Sequence, residues 1–366
     1  MSPAAVAAAG LAALAVGMGI GRFAFTPVLP LMQAEGALTL AGGGWLASAN
    51  YAGYLAGALS APLLAGATAV RAGLAGTALL ALAMALPQSF LLWMLVRALA
   101  GVASAWVLVH VSVWSLERLT RPALSGAVYA GVGAGSMVAG ALCLGVLHLG
   151  LGSGHAWVLL ALVAAAASAA LWPVFGTRKR IARARGGAWL NAGSLRLVLC
   201  YAAFGFGYII PATFIPAFAR ETLRDPALYG WAWPIFGAAA AISTVAVSPL
   251  VRRLGERRVW IGGHVVMAAG VAAPLVLPGM AGIAACALCV GATFMVITMA
   301  GLQEGRRQGG AALLAAMTAA FAAGQIAGPA FVALLAHAGG RMAHASMVAC
   351  ALLLLSAIAL LQRRAR

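Results

Sequence analysis

The chain is short of charge, and above all of acid. Among its 366 residues there are six Asp and Glu together and a single lysine, Lys179, and charged residues make up 8% of the whole. An ordinary soluble domain carries roughly a quarter, so a water-facing globular surface is excluded. Enzyme patterns are missing as well. There is no His-Glu-x-x-His, no Gly-x-Ser-x-Gly and no Gly-x-x-x-x-Gly-Lys-Ser, so zinc-peptidase, serine-hydrolase and nucleotide-hydrolysing chemistries lack their residues. The five cysteines (Cys143, Cys200, Cys286, Cys289, Cys350) all sit in apolar stretches, without the spacing of a secreted disulfide framework or a zinc ribbon, and read as small core side chains. No Lys or Arg precedes Arg22, so the N-terminus reads as the start of a span rather than a signal peptide.

What is present is apolar: 64% of residues are hydrophobic and the mean hydropathy is +1.02. A spanning helix takes roughly 20 apolar residues. On that measure twelve runs are expected, at about 5–32, 43–66, 72–88, 90–114, 124–148, 155–176, 195–219, 229–250, 259–277, 279–301, 310–336 and 342–361. The sequence thus predicts an all-α polytopic membrane protein.

Basic residues orient it. With both termini in the cytoplasm, 17 fall inside: Arg71, Arg118, Arg121, Arg178, Lys179, Arg180, Arg183, Arg185, Arg252, Arg253, Arg257, Arg258, Arg306, Arg307, Arg363, Arg364 and Arg366. Three, Arg220, Arg224 and Arg341, fall outside, the asymmetry that sets topology. The net charge of +17 is thereby explained without nucleic acid, and it favours anionic lipid headgroups. The longest polar interruption, "TRKRIARARGG" at 177–187, divides the chain near its middle. Two six-helix bundles are expected, 1–176 and 195–366, joined by a basic cytoplasmic linker at 177–194. An internal repeat agrees: Gly19, Gly21 and Pro30 recur as Gly205, Gly207 and Pro216, and Gly44-Trp45 recurs as Gly230-Trp231, all shifted by 186. Parallel repeats place a substrate site at their interface near the midplane.

Three basic residues remain inside the spans. Arg196, at the start of the seventh, is expected to snorkel. Arg22 and Arg97 are costly to bury and mark a functional site by default. Their depths, ~15 and ~12 Å from the outer ends of their helices, suggest two guanidiniums facing one water-filled cleft, suited to a carboxylate. The six acids (Glu35, Glu117, Glu221, Asp225, Glu256, Glu304) are expected in loops or at span ends, which leaves both arginines without a counter-ion. Asn50, Tyr51, Tyr54, Tyr208, Thr213, Thr298 and Gln325 lie at a similar level and extend the candidate site, although helix-to-helix hydrogen bonds are an equal reading for each. Tyr208 occupies the place of Arg22 under the shift. His110 reads as a hydrogen-bonded core histidine. The pairs Cys286/Cys289, Met295/Met299, His264/Met267 and His344/Met347 share helix faces, and copper transport is a minor alternative.

These residues carry a family likeness. The strings "GIGRFAFTPVLPLM" (19–32), "GWLASANYAGYLAGAL" (44–59), "VRALAGVASAWVLVHVSVW" (96–114), "GFGYIIPATFIPAFARE" (205–221), "GWAWPIFGAAAA" (230–241) and "FMVITMAGLQE" (294–304) resemble, in order, the YbfB/YjiJ-type branch of the major facilitator superfamily. The resemblance implies two bundles rocking about a central site lined by helices 1, 4, 7 and 10. Arg97-x-x-x-Gly101 resembles the superfamily's helix 4 motif, in which the arginine is associated with proton-linked transport. Arg71-x-Gly73 and Arg253-x-Gly255-Glu256 resemble its gating loops, with Val70 where the first usually has Asp, and Glu256 is expected to pair with an arginine beside it.

The expected function is secondary transport of a small organic anion or zwitterion by a multi-pass monomer of the bacterial inner or plasma membrane, with no cofactor and no resident metal. Efflux of amphipathic compounds is the alternative, and a non-transporting membrane sensor a more distant one.

Overall fold

The computed structural model describes residues 1–86, 89–176, 191–223 and 225–362. The linker residues Arg178, Lys179, Arg180, Arg183 and Arg185, together with Arg224 and the C-terminal Arg363, Arg364 and Arg366, lie outside the described residues. Within them the chain forms twelve helical rods and no strand: α1 (Pro3–Ala34), α2 (Leu40–Ser60), α3 (Gly66–Met84), α4 (Phe90–Leu116), α5 (Pro122–His148), α6 (Ser153–Leu171), α7 (Ala192–Thr222), α8 (Ala232–Leu254), α9 (Glu256–Val276), α10 (Gly279–Gly310), α11 (Ala312–His337) and α12 (Met342–Leu361).

Ten of these are long and apolar enough to cross a membrane. Among the described residues α2 does not reach that apolarity, and α8 contributes the apolar stretch Ala232–Val247. Both pack across the middle of the molecule, α2 on α11 and α8 on α5. On the faces they turn to protein, polar and small residues are tolerated that a lipid-facing surface would not accept.

Association in lipid has no hydrophobic drive and rests on close van der Waals contact between small residues. Gly19 meets the backbone of Gly135 on α5, and Gly133 and Gly237 bring α5 and α8 into backbone contact across the interface. The repeat is visible as a crossing point. Thr26 on α1 donates its hydroxyl to the carbonyl of Ala212 on α7 at 2.9 Å, and these residues are 186 apart in sequence. Repeat-related residues touch only where a pseudo-two-fold axis passes between them, so the axis runs through this contact.

Several boundaries differ from the sequence expectation. Pro62 has no N–H for the helical ladder, and α2 ends at Ser60 in a single tight turn, Ala61–Leu63. The next helix therefore starts at Gly66, and Arg71 and Gly73 lie on α3 rather than in a loop. The second copy is a true turn: Arg253 is in the last turn of α8, Gly255 takes φ +80°, and Glu256 opens α9. Glu304 is helical and buried, near the end of α10, where it accepts from Gln308 at 2.5 Å. Glu35 sits at the C-cap of α1 and accepts from the backbone N and hydroxyl of Ser153, tying α1 to the start of α6.

Candidate functional site

The centre of the molecule is built on a local irregularity of α1. Residues Ala15–Phe23, carrying Gly17, Gly19 and Gly21, wind as a π-helix, a form concentrated at functional sites. Arg22 is in its last turn. Five residues on stands Pro27, which has no N–H to offer the Arg22 carbonyl in a π-turn. That carbonyl accepts from Arg97 Nη2 on α4 at 3.1 Å instead. The Arg97 carbonyl in turn accepts from Asn50 Nδ2 on α2 at 2.8 Å, so α1, α2 and α4 are laced at one level.

The two arginines thus differ in role. Both are buried, with 3% and 2% of their surface exposed, and they do not stand side by side in an open cleft. Arg97 secures backbone, with its guanidinium 4.9 Å from the Phe25 ring. Arg22 crosses between the halves: its Nη2 donates to Gln325 Oε1 on α11 at 2.6 Å. Gln325 Nε2 then meets the Tyr208 hydroxyl on α7. Positions 22 and 208, related by the repeat, are joined through one amide. The Arg22 guanidinium also lies 3.8 Å from the Tyr54 ring centroid and 4.9 Å from that of Tyr51, and the Tyr51 and Thr213 hydroxyls are 3.2 Å apart. Arg22 Nε, Arg97 Nε and Asn50 Oδ1 have no hydrogen-bond partner, and among the described residues no carboxylate pairs with either guanidinium.

Of the sequence candidates, Arg22, Arg97, Asn50, Tyr51, Tyr54, Tyr208, Thr213 and Gln325 come together. Thr298 does not join them: its hydroxyl bonds back to the Phe294 carbonyl at 2.8 Å. His110 bonds the Ala61 carbonyl at 3.0 Å as a core histidine would. Arg71 donates to the Trp172 carbonyl at 3.0 Å and lies over its ring, a tie inside the first six helices. Glu256 pairs at 2.7 Å with Arg307 on α10.

Sequence reasoning missed a series of aromatic rings. Tyr208 lies parallel to Phe294 (centroids 5.6 Å, 8°) and to Phe321 (5.7 Å, 4°). Phe294 continues to Phe236 and then Trp233. Phenylalanines in an apolar helix carry no signal that separates a site wall from lipid-facing packing.

Side-chain bonds join the halves at the level of Arg22 and beyond it, away from the arginine-rich face. Thr26 reaches Ala212, and Ser48 on α2 donates to the Ile326 carbonyl at 3.0 Å. Gly44 packs on the Pro329 carbonyl and Ala333.

A twelve-helix bundle with a two-fold repeat and a charged centre is a transporter architecture, and the comparisons agree. The family described as "Uncharacterised MFS-type transporter YbfB" matches residues 14–361. The chain belongs to this family of major facilitator transporters. A crystal structure of a variant of the nucleoside transporter NupG shares the fold at 13% identity, with a TM-score of 0.72, 98% of this chain and 99% of that chain being covered. No curated protein matches the chain. This YbfB-type chain is therefore a multi-span membrane protein of a transporter family.

Proposed function

We propose that the protein is a secondary transporter for a small organic anion or zwitterion, working by alternating access, with Arg22 as the carboxylate contact. One observation carries this: a fully buried guanidinium, cradled by tyrosine rings, whose acceptor across the interface is a neutral amide. A carboxylate adds a full opposite charge and bidentate geometry that the neutral amide lacks, so a substrate carboxylate displaces Gln325 and thereby releases a bond between the halves. Binding and opening are then one event. In this reading Arg97 and Asn50 hold the turn that aims Arg22, while Tyr51, Tyr54, Tyr208, Thr213 and Gln325 form the wall.

The moving bodies are 1–176 and 195–366, joined by the basic segment 177–194, with both termini and the arginine-rich face in the cytoplasm of a bacterial cell. The conformation described is then closed toward the outside. The bond between Glu256 and Arg307, beside Arg253 and Gly255, is the gating contact at the inner face. Lacking a carboxylate at the centre, the carrier does not couple to protons through a central Asp or Glu.

Efflux of amphipathic compounds is the second reading, favoured by the run of rings from Tyr208 to Trp233. Thermal unfolding of the purified protein against short carboxylic acids, amino acids and amphipathic cations selects the class, and flux of the hit into proteoliposomes is then compared with Gln325→Glu. The new carboxylate pairs with Arg22 from within. A hydrogen bond to a charged group is worth ~1.5–3 kcal/mol, so the KM for an anion rises ~10- to 100-fold. Unchanged or faster flux, or stabilisation by cations alone, overturns the anion reading.

A further inference from the structure

A second cavity lies away from the central site, on the lipid-facing side of the C-terminal half. Helices α8 and α9 are joined by the tight turn at Gly255, yet they pack on each other little and instead both pack on α10. Between them is a groove of about 370 Å³. Its walls include Val247 and Leu250 of α8 and Gly262 and Val266 of α9, and Thr293 and Val296 of α10 form its floor. The few polar groups along it are already satisfied. Thr293 donates to the Cys289 carbonyl at 2.5 Å, and Ser243 to the Ala240 carbonyl at 3.2 Å. Such a surface offers water nothing and suits a hydrocarbon chain.

Its end is different. Arg258 lines the groove at the Gly255 turn and also lines a neighbouring cleft of about 410 Å³ with Arg257, Arg307, Glu256 and Glu304. The other charges of that cleft have work already: Arg307 is bonded to Glu256, and Arg257 donates to the Leu360 and Gln362 carbonyls at 2.8 Å each. Arg258 is exposed, as are Arg252 and Arg253 one turn away on α8. An apolar slot with an exposed arginine at its mouth has the chemistry of a basic interhelical pocket for an anionic headgroup.

We infer that this groove is a binding site for an anionic phospholipid, with an acyl chain between α8 and α9 and the phosphate at Arg258. The inference is independent of the substrate assigned to Arg22. It also places a lipid against α8, one of the helices that joins the two halves.

The test is native mass spectrometry of the purified full chain with equal amounts of phosphatidylglycerol and phosphatidylcholine. Wild type retains phosphatidylglycerol preferentially. Arg258→Gln lowers that preference about fivefold, the factor corresponding to one basic residue at an anionic surface. Gly262→Leu fills the slot and loses retained lipid of both kinds. A Cβ at Gly262 meets no atom within 4 Å, so this variant keeps the wild-type melting temperature without lipid. Arg121→Gln removes an exposed arginine from the same face of the other half and leaves the preference intact. Retention unchanged in both groove variants overturns the site. So does an equal loss in Arg121→Gln, which would make the attraction diffuse.

Discussion

At the scale of the residue, Arg22 is held by contacts of two kinds, one to each half of the molecule. The bond to Gln325 belongs to the interface, and in the proposed cycle it is broken when substrate enters or the halves part. The ring of Tyr54, on α2 in the same half, stays with Arg22 throughout and offsets the cost of keeping a cation out of water. Cation–π contacts are worth ~0.5–2 kcal/mol, the upper part of the range applying when the pair is desolvated. A double-mutant cycle of Tyr54→Leu and Arg22→Met, read by equilibrium unfolding in mixed micelles, is expected to give a coupling energy in that range. Tyr54→Phe retains the ring face and is expected to match wild type. A coupling near zero would mean that the ring is only a packing neighbour and that Arg22 depends on Gln325 for its position.

At the scale of the element, the arrangement depends on how closely helices approach. Helices α2 and α4 cross where Gly53 faces the Ala98 carbonyl and Gly101 faces the Asn50 carbonyl, and a Cβ at either position would run into that backbone. This crossing carries both Asn50 and Arg97. Gly53→Ala and Gly101→Ala are therefore expected to cost ~1–3 kcal/mol by overpacking and to lower the melting temperature. Gly145→Ala on α5, where the added carbon meets nothing within 4 Å, is expected to be neutral or to stabilise by up to ~1 kcal/mol. Equal melting temperatures for all three would refute the account. The helices themselves were legible in the sequence, because apolar runs near 20 residues have few alternatives in a bilayer. The winding of α1 was not. A π-turn leaves no periodic trace, and its consequence, a carbonyl that Arg97 comes to serve, depends on Pro27 and on a second helix together. The start of α3 was misplaced for a similar reason: 61–65 is a turn made of apolar residues, so hydropathy does not mark it. Arg22 is legible as a candidate because a charge in an apolar helix stands out, whereas Phe294 and Phe321 are invisible among other hydrophobic side chains.

At the scale of the whole molecule, the repeat gives the two halves a common frame, and the axis contact between Thr26 and Ala212 shows where they are pressed together. Transport by rocking requires that this side come apart in each cycle. The point to probe lies further along the same side, between α2 and α11, where an ideal Cβ on Gly44 falls 2.9 Å from the Ala333 Cβ. That is within about 1 Å of the Cβ separation in disulfides. In a chain whose five native cysteines are replaced, Gly44→Cys with Ala333→Cys is expected to cross-link under mild oxidant, abolish flux in proteoliposomes and recover it on reduction. Substrate present during oxidation should slow the cross-link if carboxylate binding releases Gln325 from Arg22, since the halves then spend less time in the closed form. Full flux in the cross-linked protein would show that the halves do not separate here, and alternating access about this axis would have to be abandoned.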